Sequence, residues 1–263
     1  MKAKRLVVIS DLHCGSNVGL TPPSWHDSPP ADAPRGVQKR AEFRRKQWRF
    51  FADTVKALQP VDRLIVLGDC IDGAQPKAGG VELIARDRNE QVRMAVDCIQ
   101  EVKAKRVAFV YGTGYHVGAE EDFEDQVAEP FGGEIAAQQD IDINGVIFNA
   151  KHYAGNTASP PSRFTFLSAE QVRQLLWASH EQQPKADVIL RGHAHRYAVC
   201  GEEGWMAFLC PPLQGLGGKI ARMRSSLPLA YGLLSFDVLR KGGYAWNAHV
   251  QPLSAQAARV LLW

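Results

Sequence analysis

Arg5-Leu6-Val7-Val8-Ile9-Ser10-Asp11-Leu12-His13 is the stretch on which the fold turns. Its apolar, β-branched run is short and ends abruptly, so it reads as a buried strand that stops at an Asp and a His one residue apart. The same design recurs along the chain. Arg63 to Leu67 ends in Gly68-Asp69-Cys70-Ile71-Asp72-Gly73, and Arg106 to Tyr111 in Gly112-Thr113-Gly114-Tyr115-His116. A hairpin arm runs into Lys151-His152, and Asp187 to Leu190 delivers Gly192-His193-Ala194-His195. Carboxylate oxygens and neutral imidazole nitrogens suit Mn, Fe, Zn or Ni, and a sharp loop after a strand aims them at one point without burying an unpaired charge. Asp-x-His and His-x-His also carry a geometric expectation: alternate side chains of extended chain share a face, so each pair reaches one cluster.

A lone Asp after a strand is often a helix cap, and a lone His is usually a satisfied core or surface residue. The joint pattern carries the reading of a two-metal site. His13, His116, His152, His193 and His195 fall just after expected strands, whereas His26, His180 and His249 do not. Asp72 is read as supporting the site or as a turn residue, since Asp-Gly is also a common turn pair.

Between the strands, Gln38 to Leu58 places Phe43, Trp48, Phe51, Val55 and Leu58 at helical spacing, and Val81 to Val102 repeats the pattern with Leu83, Val92, Val96, Ile99 and Val102. Ser168 to His180 opens with a Ser168/Gln171 capping pattern and stops before Pro184. Asn144-Gly145 predicts a hairpin turn inside Ile141 to Asn149. Tyr197 to Cys200 and Met206 to Cys210 flank a Gly-containing turn, and Tyr231 to Val238 with Tyr244 to Val250 form a closing hairpin. Strands alternating with amphipathic helices place the chain in the α/β class.

In this order, the motifs resemble those of the calcineurin-like metallophosphoesterase family, from about Arg5 to His195. The resemblance implies a four-layer αββα sandwich with mixed sheets over residues 1–263 as a single domain. It implies that Asp11, His13 and His195 hold one metal, His152 and His193 a second, and that Asp69 bridges them, with Mn favoured among Mn, Fe, Zn and Ni. The family's third motif, Gly-Asn-His and an acid, is altered. Thr113 stands in the place of the Asn ligand, and His116 arrives two residues late, as a displaced catalytic histidine or a replacement ligand. This alteration and Gly19-Leu20-Thr21-Pro22-Pro23 resemble a phage or prophage branch.

The activity implied is phosphate-ester hydrolysis by a hydroxide activated between two cations, with His116 and Asp72 assisting. No Cys-based phosphatase loop and no Gly-x-Ser-x-Gly elbow competes with that reading. A phosphodiester, nucleic acid or nucleotide, is preferred over a small monoester because Arg35 to Arg49 is basic, carrying Glu42 as its single acid and Phe43 and Trp48 interleaved. The alternatives are a solvated helix face for that segment, a small-molecule phosphomonoesterase, and a noncatalytic metal-binding scaffold. An amidohydrolase barrel would carry His-x-His on its first strand, not near residue 193.

Composition adds bounds. At 263 residues with 45% apolar content, the chain can bury a sizeable core. A net charge of +3 is too mild to imply nucleic-acid binding by itself. The run Leu6 to Ile9, cut off by Asp11, is too short for a signal peptide or membrane span, and five cysteines without regular spacing suit reduced thiols, so the expectation is a cytoplasmic protein without membrane contact. The segment at about 15–50 reads as an irregular and basic insertion, with its proline-rich part from Asn17 to Gly36 rimming the site. Leu213 to Ser226 is a second glycine-rich, basic loop, read as a cover for substrate or equally as a flexible surface loop.

Overall fold

The first strand, β1 (Lys4–Ile9), is central because both its faces are apolar: Leu6 and Val8 point to one side, Val7 and Ile9 to the other, and all four are fully buried. In the computed structural model, described over residues 3–76, 78–117, 122–153, 155, 160–216, 230–240 and 242–253, the chain continues through α1 (Arg35–Ala57), β2 (Arg63–Val66), α2 (Arg88–Glu101) and β3 (Val107–Val110). Next come the short α3 (Gly114–Val117), α4 (Phe123–Ala128) and β4 (Glu134–Ala136). The second half contributes β5 (Gln138–Ile143), β6 (Val146–Lys151), α5 (Pro160–Ser179), β7 (Val188–Arg191), β8 (Ala198–Glu202), β9 (Trp205–Leu209), β10 (Ala230–Val238) and β11 (Tyr244–Pro252).

Two mixed sheets result. One has the order β11-β10-β1-β2-β3-β4, with β1 to β4 parallel and the β10/β11 hairpin antiparallel at one side. The other has the order β5-β6-β7-β9-β8, with β6, β7 and β9 parallel. Leu6, Val8, Ile65 and Leu67 of the first sheet pack with Phe148, Val188, Leu190 and Phe208 of the second. Outside the first sheet, Val7, Ile9, Leu64 and Val66 meet Phe51 and Val55 of α1 and Val92 and Ile99 of α2. Outside the second, Ile189, Ala207 and Leu209 meet Leu167 of α5. The layers therefore run helix, sheet, sheet, helix, a four-layer αββα sandwich, and each strand's period of two decides which layer a side chain enters.

The strands and the Asn144-Gly145 turn lie where the sequence placed them; Asn144 and Gly145 have φ of 57° and 89°, the left-handed pair that a two-residue hairpin turn requires. The helices differ. The expected helix from Val81 begins only at Arg88, where the Asp87 side chain accepts from the Asn89 N–H. Residues 81–87 pair with the first motif's loop instead, through Asn17 N–H to Glu82 O and Ile84 N–H to Gly15 O. α5 begins eight residues before Ser168, which lies inside the helix and caps nothing; Pro160 and Pro161 occupy its first positions, where a missing N–H costs least. Within the expected insertion at 15–50, the part from Arg35 onward is α1, an integral outer layer. From residue 217 the Leu213 to Ser226 loop, including Lys219, Arg222 and Arg224, lies outside the described residues.

Candidate metal centre

All the chemical motifs leave the C-terminal ends of parallel strands: β1, β2 and β3 in one sheet, β6 and β7 in the other. The first two loops run side by side, the N–H groups of Asp11, His13 and Cys14 donating to the carbonyls of Gly68, Asp69 and Cys70 at 3.1, 3.0 and 3.0 Å. Two glycines let the remaining loops approach. A Cβ on Gly112 would run into the backbone and carboxylate of Asp69, and one on Gly192 would run into Ser10.

The extended-chain expectation for Asp-x-His and His-x-His is overturned. Asp11, His13, Asp69, His193 and His195 have φ of 52°, 47°, 49°, 64° and 49°, all left-handed. For a residue with a Cβ, each such conformation costs about 1–3 kcal/mol and persists only where the surroundings enforce it. The side chains converge because each loop folds sharply back over the strand end, and not because alternate residues share a pleat.

Among the described residues, three sets of donor atoms lie within 4.8 Å of one another: Asp11, His13 and His195; His13, Asp69 and His116; and Asp69, His152 and His193. The oxygens of Asp11 are divided. Ser10 and the His193 N–H donate to Oδ2, while Oδ1 is buried without a hydrogen bond, 3.1 Å from His195 Nε2. Asp69 is divided likewise. Its Oδ1 accepts from the Thr113 N–H at 2.7 Å and hydroxyl at 3.1 Å, and its Oδ2 lies 3.1 Å from His152 Nε2 and 3.9 Å from His13 Nε2. His152 Nε2 is buried and also lacks a hydrogen bond.

The far nitrogens of three imidazoles explain why the near ones point inward. His13 Nδ1 pairs with the Asp72 carboxylate at 2.9 Å, His116 Nδ1 with the Asp72 carbonyl at 2.9 Å, and His152 Nδ1 with the Leu67 carbonyl. A proton held on each Nδ1 leaves an Nε2 lone pair for a cation, the outer arrangement common to metal-binding histidines. His13 and His195 bring their Nε2 atoms within 3.0 Å of each other, an approach that a shared positive charge stabilises.

The field agrees. Burial opposes ionisation of Asp11, yet His195, His13 and His152 more than offset it and hold the carboxyl well below the usual range; Asp69 behaves alike under His152 and His13. Burial disfavours the charged forms of His13 and His152, but Asp11, Asp72 and Asp69 lift His13 to about 10, and Asp69 and Asp11 lift His152 to about 9. The cluster therefore draws positive charge, and its oxygen and nitrogen donors fit Mn, Fe, Zn or Ni.

No protein-family model matches the chain, and no match is found among curated proteins. Solved structures resemble it at low identity. An archaeal phosphodiesterase is 10% identical over 93% of this chain and 99% of its own, with a TM-score of 0.44. Vps29 from Entamoeba histolytica in complex with Zn2+ is 14% identical over 93% and 97%, with a TM-score of 0.41. A Streptococcus pneumoniae TIGR4 protein described as a predicted phosphoesterase is 11% identical over 94% and 99%, with a TM-score of 0.38. At these identities and TM-scores only the course of the chain is compared, so the chemistry stands on the site's own geometry.

Around the cluster the structure brings in residues that the motifs did not mark. Glu124, 1% exposed, accepts from the N–H groups of Cys70 and Gly112 and so ties the Asp69 loop to the Thr113 loop; burial and the nearby Asp69 push its carboxyl up to about 7. Nothing local marked this role; Asp122 caps α4 by accepting from the Glu124 N–H. Arg191 precedes the His193 loop, and its buried guanidinium bonds Glu170 of α5 at 2.7 Å and Asn149. A cavity of about 610 Å³ opens over the cluster, lined by Asp69, Asp72, His116, His193 and His195 and bordered by Ser16 and Val18; of the segment Asn17 to Gly36 expected to rim the site, Val18 lines the cavity and its prolines do not. The basic segment is divided. Arg44 is buried, bonding Asn17 O and Asp27, and Arg45 bonds Asp27 O, so both staple that segment; Arg35, Lys39, Lys46 and Arg49 remain exposed.

Proposed function

We propose that this chain is a metal-dependent phosphoesterase of the calcineurin-like metallophosphoesterase type, with Asp11, His13 and His195 holding one divalent cation, His152 and His193 a second, and Asp69 shared. One observation carries the reading: the group of Asp11, His13 and His195 and the group of Asp69, His152 and His193 each contain a fully buried donor without a hydrogen bond, Asp11 Oδ1 in one and His152 Nε2 in the other. An unpartnered buried carboxylate oxygen is costly unless a cation completes it. When bound, such a metal pair, Mn in the first instance, would supply an acidified water and neutralisation of phosphate charge.

The chain's own groups position and protonate. Asp72 holds His13 through its carboxylate and His116 through its carbonyl. His116 lines the cavity with its Nδ1–H donating to the Asp72 carbonyl, and in its doubly protonated form Nε2–H hands a proton to the departing ester oxygen; burial and the neighbouring His13 lower its pKa and so favour release of that proton. Thr113 takes no ligand position in this scheme; its hydroxyl and N–H fix the Asp69 carboxylate. A phosphodiester is the preferred substrate, since the cavity exceeds what a phosphate alone fills and exposed basic residues of α1 attract polyanions. A cytoplasmic setting and a phage-type branch belong to the same proposal, resting on the cysteine pattern and the altered third motif.

The rival, a noncatalytic metal-binding scaffold, is favoured by one observation, the engagement of Thr113 with Asp69 where the family's Asn would bind metal. Metal analysis of the purified protein, combined with hydrolysis of aryl phosphodiester and monoester under added Mn, Ni, Zn and Mg, separates the two. Two metals per chain with metal-dependent diester turnover is the expected result. Metal without turnover of any ester would leave the scaffold.

A further inference from the structure

We propose that Tyr115 and Tyr153, two exposed aromatic rings beside the cluster, make this site select phosphodiesters that carry nucleobases. The inference rests on the phosphoesterase reading and adds the substrate class to it. All six tyrosines are described, and only these two are exposed, at 38% and 58%; the other four are buried or half-buried. Both touch candidate ligand histidines. Tyr115 meets the His116 ring at 4.9 Å, edge to face, and lines the cavity. Tyr153 meets the His193 ring at 5.3 Å and 32°, so one face rests on the imidazole while much of the ring remains open to solvent.

Their placement matters as much as their exposure. His116 joins His13 and Asp69 in one donor group, and His193 joins His152 and Asp69 in another. A phosphate held by cations at these two groups, which share Asp69, would have a tyrosine against one histidine of each. The cavity of about 610 Å³ falls in the range of about 300–1,000 Å³ typical of small-molecule sites. An alkyl ester gains chiefly from buried aliphatic surface, whereas aromatic rings gain from flat partners, and every nucleobase presents a flat face whatever its sequence.

The test compares two esters with the same leaving group, the para-nitrophenyl ester of thymidine monophosphate and methyl para-nitrophenyl phosphate. The ratio of their kcat/KM values cancels the nitrophenyl group and reports the base. The Tyr115→Ala/Tyr153→Ala double variant should lower that ratio by about 5- to 150-fold, the span expected for losing base stacking. Leucine at both positions, which keeps apolar bulk but no ring, should lower it likewise; phenylalanine should hold it within about twofold, since stacking needs no hydroxyl. An unchanged ratio in the alanine and leucine variants overturns the proposal. Should the wild type cleave neither ester, the phosphoesterase reading fails separately, and calorimetric binding of thymidine monophosphate against methyl phosphate to metal-loaded protein decides. Tighter nucleotide binding that the alanine variant loses sustains the inference; equal binding overturns it.

Discussion

Replacing Asp72 by Ala tests how the centre is built. The carboxylate pairs with His13 Nδ1 at 2.9 Å and is 2% exposed, so water cannot readily take its place. Losing such an outer partner costs about 10- to 100-fold in metal affinity, or roughly 1.4–2.7 kcal/mol. The burial of both partners and the charge on Asp72 place the loss toward the upper end, because hydrogen bonds to charged groups contribute about 1.5–3 kcal/mol. The effect should be one-sided. His116 is held by the main-chain carbonyl of residue 72, which any side chain leaves in place, and the group of Asp69, His152 and His193 makes no contact with the lost carboxylate among the donors it uses. Competitive chelator titration of the metal-loaded protein, followed by metal counting, should show the cation at Asp11, His13 and His195 weakened and its neighbour retained. Asp72→Asn keeps an acceptor without the charge and should lose about tenfold or less. Equal weakening of both sites, or a change below about twofold in Asp72→Ala, would refute this division of the ligands.

His116→Ala should retain both metals, spare esters with a nitrophenolate leaving group, and lose about 10²- to 10⁴-fold on an unactivated diester, as expected for loss of a general acid; loss on both substrates together with a missing metal would make it a ligand. Glu170→Gln leaves the Arg191 guanidinium, 3% exposed, without its carboxylate, so urea unfolding should show a loss at or below the about 3–5 kcal/mol of a broken buried pair, Asn149 being retained as a partner. Burial raises the Glu170 carboxyl, but Arg191 and Arg173 bring it below its ordinary 4.5. Folding therefore gains from its ionised form above about pH 4.5 and loses that gain as pH falls further, and Glu170→Gln should flatten this acid limb of the stability profile; an unaltered limb would count against the pair.

Where the chain must end a strand and begin chemistry was legible, because both signals are local. A run such as Leu64-Ile65-Val66-Leu67 can only be buried, and the residues after it must then meet at the sheet edge. The partners behind the ligands were not legible. Glu124, Arg191 and Gln91, whose amide accepts from the Gly73 N–H and donates to the Gly73 carbonyl, are polar residues buried by contacts remote in sequence, and nothing adjacent to them fixes which backbone groups they will satisfy. Arg44 is an intermediate case. It follows Ala41 and precedes Gln47 and Phe51 at steps of three, three and four, which is the inward stripe of α1, so its burial was available from periodicity even though its charge suggested solvent.

The least legible feature is also the most functional. Asp and His tolerate the left-handed region better than most side chains, yet it is uncommon even for them, and Asp11, His13, Asp69, His193 and His195 all adopt it. The enforcing contacts are visible only in three dimensions: the His13 N–H donates to Asp69 O, the His193 N–H to Asp11, and the Ala194 N–H to Gly192 O at 2.7 Å. Each bond joins one motif to another or folds a loop on itself. Local preference and global fold thus disagree at the candidate ligands, as expected where a site is built against the chain's own inclination. The strain has a structural use, since left-handed residues turn the chain within one step and bring two side chains of the same short loop to a common point that an extended segment would have carried past.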